Sequence, residues 1–221
     1  MSNHDPNAAV TDLADRFWEG VLERDPITAT IYGDDRYDDR WPDLGPDGRA
    51  AERSALSSAL AEAESMDTAG LDVESIITRD LLMLVARNYL EALDRRLYQL
   101  AVNHMSGVQT WPSEIAQYQR AETADGLRRL VARFEAFPRL IDQHIGTLDE
   151  GIADGRTSAT VPVRRAIEQI DRMLAVPSHD APAVELANVA DEPARDEIRA
   201  AVATYVYPAL QKLRDYLAET Y

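Results

Sequence analysis

From Thr11 to the C-terminus the large apolar residues return at steps of three and four, and no segment shows the strict alternation of a half-buried strand. That periodicity confines the chain to an all-α fold. Each helix has one apolar stripe to bury against its neighbours, so the expected architecture is an elongated multi-helix bundle. With 221 residues, 45% of them hydrophobic, the chain can bury a sizeable core, and residues 1–221 read as a single helical domain with residues 1–10 as a flexible tail.

Capping signals place the helices. Asp25-Pro26 is an N-cap followed by a first helical residue, and Gly33 is the matching stop. Before it, a helix over Thr11–Arg24 carries Leu13, Phe17 and Val21 on one face; after it, a helix following Gly45-Pro46 carries Leu56 and Leu60 to Met66. Asp72 caps a long central helix reaching Val102, with Ile77, Leu81, Leu84, Tyr89, Leu93, Leu97 and Leu100 as its inward residues. Further helices are expected from Trp111-Pro112 to Tyr118, after the Thr123 cap, from Pro138 to Ile152, and over Thr160–Val176. Residues 177–193, rich in Pro, Ala and Asp, read as a mobile connection, and a last helix from Glu192 to Tyr221 should kink before Pro208.

Composition removes several function classes. The formal charge of −16 is spread along the chain and repels phosphates and anionic lipid, so neither nucleic acid nor a membrane surface is an expected partner. No apolar run is long enough to span a bilayer, and the polar, acidic N-terminus lacks the zones of a signal peptide; the expected location is the cytoplasm. Zero cysteines exclude disulfides, thiolate zinc sites and cysteine nucleophiles. Of the 23 basic residues, 22 are Arg and Lys212 alone is Lys, which fits a GC-rich genome or a salt-loving host.

Two clusters are candidate sites. Tyr32, Asp34, Asp35, Tyr37, Asp38 and Asp39, with Asp43 and Trp41, crowd acid and aromatic residues into one loop. Hard cations want several converging carboxylates, although the spacing is not that of an EF-hand. The alternative is a solvated loop whose aromatics cover helix ends. Asn103, His104, Trp111 and Tyr118 cluster after the central helix, where a break could line a groove for a peptide or a partner helix, or simply close the core at a corner. His4, His104, His144 and His179 have no carboxylate at helical metal-ligand spacing, and there is no phosphate loop or nucleophile elbow. No metal ligands are assigned, and His4 and His179 read as solvated.

Several segments in order resemble a known family. They run from Asp25-Pro26-Ile27-Thr28-Ala29-Thr30-Ile31-Tyr32-Gly33, through Thr78-Arg79-Asp80-Leu81-Leu82 and Asn103 to Gly107, to Arg133-Phe134-Glu135-Ala136-Phe137-Pro138-Arg139-Leu140. Glu150-Gly151-Ile152-Ala153-Asp154-Gly155 and Tyr207-Pro208-Ala209-Leu210 complete the set. This is similar to the N-terminal half of the bacterial family called domain of unknown function 885. The resemblance implies a zincin-like metallopeptidase whose zinc ligands and catalytic glutamate lie in a C-terminal half, with the N-terminal helices walling a substrate channel. On that resemblance the present chain is a non-catalytic module without catalytic residues or cofactor of its own, and zinc would belong to the C-terminal half. The partners it implies are that catalytic half or a companion chain. A stand-alone binding or scaffold protein, as a homo-oligomer or with a peptide ligand, is a second expectation; an unconventional metal enzyme built on Asp34–Asp39 is a third.

Overall fold

A computed structural model describes residues 5–221 and shows an all-α, multi-helix chain. The helices are α1 (Pro6–Arg24), α2 (Pro26–Ile31), α3 (Pro46–Ser65), α4 (Val73–Asp94), α5 (Trp111–Tyr118) and α6 (Ala124–Glu135), then α7 (Phe137–Ala153), α8 (Thr160–Ala175), α9 (Pro182–Glu185), α10 (Glu192–Ala201) and α11 (Tyr207–Glu219). Two-residue strands β1 (Arg120–Ala121) and β2 (Asn188–Val189) pair in parallel, Arg120 with Asn188 and Ala121 with Val189. His4 lies outside the described residues, and residues 6–10, read from sequence as tail, form the first turns of α1.

The chain divides into two compact units, residues 1–24 with 46–97 and residues 25–45 with 98–221. In the first, α1, α3 and α4 pack together around Leu13, Ala63 and Leu82, with Phe17, Ala59, Met66 and Met83 around them. Ala63 is fully buried and has no side chain beyond Cβ, so it permits close approach between helices. Asp72 caps α4 as expected, accepting from the Ser75 N–H at 2.8 Å. Arg79 donates to the Ala63 carbonyl at 2.8 Å, satisfying one of the last acceptors of α3.

Here the structure corrects the sequence reading of the central helix. It ends at Asp94 rather than Val102, closed by Arg95 as C-cap and by Arg96 in the left-handed region at φ 51°. The buried face of α4 is Ser75, Leu82 and Ala86, whereas Ile77, Leu81, Leu84 and Tyr89 are each more than half exposed. Leu97 and Leu100 are exposed as well. The physical reason is that α4 is apolar on two faces, and small residues on one of them let α3 and α1 come close.

The second unit has the larger core, centred on Ile115, Leu130, Phe134, Phe137, Leu140, Ile141, Leu148, Ile170, Ile198 and Leu210. Thr123 caps α6 through the Gly126 N–H at 3.1 Å, and a Cβ on Gly126 would stand 2.4 Å from the Arg120 carbonyl oxygen, so glycine is required there. Between Pro177 and Pro193, Ala181, Ala183, Val184 and Ala187 are buried in that core. The expected kink before Pro208 is a π-helical turn over Val202–Val206; its wider winding accommodates a proline that has no N–H and whose ring crowds the carbonyl four residues back.

Candidate functional site

The segment between α1 and α3 belongs to the second unit. Its local structure follows from its capping residues. The Asp25 carboxylate accepts from the N–H groups of Ile27 and Thr28 at 3.2 Å each and from the Thr28 hydroxyl at 2.6 Å, with Pro26 opening α2. Gly33, at φ 83°, turns the chain out of the helix. Asp34 then accepts from the Arg36 N–H at 3.1 Å and starts a 3₁₀ turn over Asp35–Tyr37. These turns deliver Asp38 and Trp41 to the interior.

What they meet is Arg133, which is wholly buried on α6. Its Nη1 donates to the Thr30 hydroxyl at 2.9 Å and to the Gln119 side-chain oxygen at 3.0 Å; its Nη2 donates to the Tyr37 carbonyl at 2.7 Å. The Asp38 carboxylate is 3.6 Å from Nη2 and accepts from the Thr30 hydroxyl at 2.5 Å. Gln119 closes the ring by donating to the Asp38 carbonyl at 2.9 Å. Trp41 lies under the guanidinium, 5.6 Å from ring to Cζ, and donates its indole N–H to the Arg133 carbonyl at 2.6 Å. Burial pushes the Asp38 carboxyl up and the Arg133 guanidinium down to about 10, so Arg133 is charged at neutral pH.

The other carboxylates of the loop diverge. Asp34 binds Arg36 and is held below the ordinary carboxylate range by it; Asp39 binds Arg40 with the same result; Asp35 pairs with Arg129 at 3.2 Å. Tyr32 is exposed at the end of α2, and Tyr37 is flanked by Arg36 and Arg40 at 5.3 and 5.9 Å. Among the described residues no group of three or more His, Asp or Glu side chains is arranged to hold a metal ion. Asp34, Asp35, Asp38 and Asp39 each face an arginine of their own rather than one shared point.

The second cluster is partly assembled. The Asn103 side chain accepts from the N–H groups of Met105 and Ser106 at 2.9 and 2.7 Å, and its carbonyl accepts from Gln109 at 2.8 Å. Trp111 donates to the Ser106 carbonyl at 3.3 Å, and its ring stacks on Trp41 at 6.3 Å, so the two sequence clusters meet at this pair of indoles. The Nδ1 atom of His104 is buried without a hydrogen-bond partner. Tyr118 is half exposed and, seven residues after Trp111, lies on roughly the same face about 10 Å along α5. Beside Pro112 and Ser113 an apolar hollow lined by Met173, Val206 and Leu210 measures about 10 Å³, room for one water and too small for a peptide side chain.

Sequence reasoning missed Arg133, Thr30 and Gln119 as partners of the loop. One signal pointed to Arg133: it stands three residues after Leu130 and next to Phe134, on the flank of the apolar stripe of an otherwise ordinary amphipathic helix.

Residues 26–221 match the family model described as "Bacterial protein of unknown function (DUF885)". The chain belongs to that family. The match takes in both parts of the buried cluster, the 26–41 segment and Arg133, and every member of the Asn103–Tyr118 group. No curated protein matches the sequence. Among solved structures, a chain described as "the putative lipoprotein from Colwellia psychrerythraea" is similar at 14% identity with a TM-score of 0.85, over 97% of this DUF885 chain and 41% of that one. The likeness establishes a shared fold, and this chain spans about two fifths of that neighbour's length. Among the described residues, no helix is long and apolar enough to cross a membrane.

Proposed function

We propose that this chain is a non-catalytic helical module that acts as part of a larger DUF885-type assembly, forming one wall of the substrate channel of a zincin-like metallopeptidase whose catalytic half lies outside it. The observation that carries the reading is one of coverage: 97% of this chain finds its counterpart within 41% of a longer protein of the same fold. The chemistry agrees. A zinc peptidase needs three protein ligands, an open position for water and a general base. Among the described residues the buried ionisable groups include an Arg–Asp pair bonded to Thr30 and Gln119, and His144 on α7.

The test is a peptidase assay of the purified chain with zinc supplied, against a mixed peptide library. No turnover is expected. Cleavage that follows the chain through successive purification steps and vanishes with a chelator would overturn the reading.

A second reading, a stand-alone binding protein, draws on the unpartnered Nδ1 of His104 and on the half-exposed Tyr118. A His104→Ala variant that loses a ligand bound by the wild type would support it over the first. Both readings keep the cytoplasmic location proposed from composition; fractionation of the host cell tests it, and the neighbour's description as a lipoprotein supplies the membrane-associated alternative.

A further inference from the structure

Residues 115–148 and 183–217 follow one pattern: the end of a short helix, a two-residue strand, a capping residue, then two successive helices, α6 and α7 or α10 and α11. The parallel ladder fixes how they correspond, because it pairs Arg120 with Asn188 and Ala121 with Val189, a spacing of 68 residues. The caps keep that spacing. Thr123 accepts from the Gly126 N–H and Asp191 from the Ala194 N–H, three residues on in each case. The buried faces keep it too: Ile115 and Ala116 correspond to Ala183 and Val184, Leu130 to Ile198, and Phe134 to Val202, all within the core. Even the exposed apolar residues Tyr118 and Leu186 stand at the same place.

Beyond α10 the buried faces still correspond, at a spacing of 69. Phe137, Leu140, Ile141 and His144 are buried, and so are Val206, Ala209, Leu210 and Leu213. The change of one falls at the π-helical turn Val202–Val206. A single π turn is how a helix stores one residue more than its flanking faces require. Each element also touches its own counterpart: α5 packs on α9, β1 pairs with β2, α6 packs on α10 and α7 on α11. Successive coils of a solenoid bring equivalent elements side by side in this way.

We propose that residues 115–148 and 183–217 are two copies of one structural unit stacked as successive coils, and that the π turn is the single residue by which the second copy exceeds the first. The amino-acid sequence hides the relation: along the two stretches only Ala132 with Ala200 and Leu148 with Leu217 are identical. What the copies share is a pattern of burial, which different apolar residues can satisfy. They differ where the first has work of its own. The counterpart of Arg133 is Ala201, so the guanidinium that holds the 26–41 segment belongs to the first coil alone.

The experiment removes one residue from the same place in each copy of the full chain. Ala203 and Glu135 are equivalent by the spacing of 68, and both are exposed. Without Ala203, the bond from the Tyr207 N–H to the Val202 carbonyl would close an ordinary α turn in place of the π turn. The deletion is made in the wild type and in a Pro208→Arg background, which carries the residue found at the counterpart position, Arg139, and spares the regular turn a proline ring. In the Pro208→Arg background the chain lacking Ala203 should melt in one transition within about 5 °C of its parent, with slow amide exchange kept at Leu210, Leu213 and Leu217. The first copy has no residue to spare. Removing Glu135 rotates the buried face of α7 by about 100° and should lower the melting temperature by about 15 °C or more, or abolish the transition. Equal damage from the two deletions in both backgrounds, equal tolerance of them, or a π turn that persists without Ala203 would overturn the proposal.

Discussion

Arg133 and Asp38 face each other at 3.6 Å with almost no contact with water, and burial drives both toward their neutral forms, Asp38 up and Arg133 down to about 10. For each group the loss of hydration outweighs the attraction of the other. The pair is therefore a poor source of net stability. Arg133 has five donor hydrogens in a fixed fork; the turns of residues 25–41 and Gln119 supply acceptors for its two Nη atoms, while its Nε is buried without a hydrogen-bond partner.

Removing the arginine alone should be severe. Arg133→Met leaves Asp38 buried beside an apolar side chain and orphans the Tyr37 carbonyl, and we expect a loss of about 3–5 kcal/mol in urea denaturation. Asp38→Asn keeps an acceptor for Thr30 but leaves the buried guanidinium without its counter-charge, and should cost about 3 kcal/mol. The double variant should be more stable than the sum of the two losses predicts. Additive losses would show that the two side chains are not coupled.

Trp41 offers a milder test of the same cluster. Trp41→Phe preserves the apolar packing against Phe137, whose ring it meets edge-on at 5.6 Å, but leaves the buried Arg133 carbonyl without its indole donor. A loss of about 1–3 kcal/mol is expected by chemical denaturation. A change near zero would mean that the indole hydrogen bond contributes nothing net.

His144 should weaken the fold as pH falls through the range above 4. It is buried on α7, and burial alone pushes it down to about 4 from 6.5. The unfolded chain takes up a proton between those values while the fold does not, so stability is complete above pH 6.5 and falls as pH drops toward 4. A shift of this size corresponds to about 3 kcal/mol at most. Asp38 works in the opposite sense, because its raised pKa makes protonation favourable to the fold. Comparing His144→Phe with the wild type isolates the histidine: the variant should show a shallower fall between pH 6.5 and 4. An identical slope would remove His144 as the cause.

The Asp-rich loop should ignore calcium. With Asp34, Asp35 and Asp39 each engaged by an arginine, millimolar calcium should leave the melting temperature within about 1 °C and give no stoichiometric heat in titration. A saturable one-to-one heat lost in Asp38→Ala plus Asp39→Ala would contradict the pairing scheme.

How much of this was legible in the sequence depends on how local the information is. Asp25, Asp72 and Thr123 each signal a helix start, and each side chain makes the capping bond expected of it, because a cap is settled within three or four residues. The face of α4 was not legible. Leu82 and Leu81 are equivalent to an apolar count, and what decides between them is the small size of Ser75 and Ala86 beneath the neighbouring helices. The end of that helix was equally hidden, since Arg96 takes the left-handed position usually marked by glycine. The buried cluster was legible only in halves. The loop advertised its acids and aromatics, but Arg133 reaches them across 92 to 107 residues of chain, and no local pattern encodes that meeting.

Whether this chain works as one part of a larger assembly, as proposed, comes down to what it is bound to in the cell. The measurement that tests it most directly is the native mass of the protein, with everything bound to it, isolated from its own host. If the proposal holds, the species is well above 24.6 kDa, includes polypeptide equivalent to the rest of the longer neighbour and carries a zinc site. A species of 24.6 kDa free of any companion, or a simple multiple of it, would contradict the account and make this chain self-sufficient.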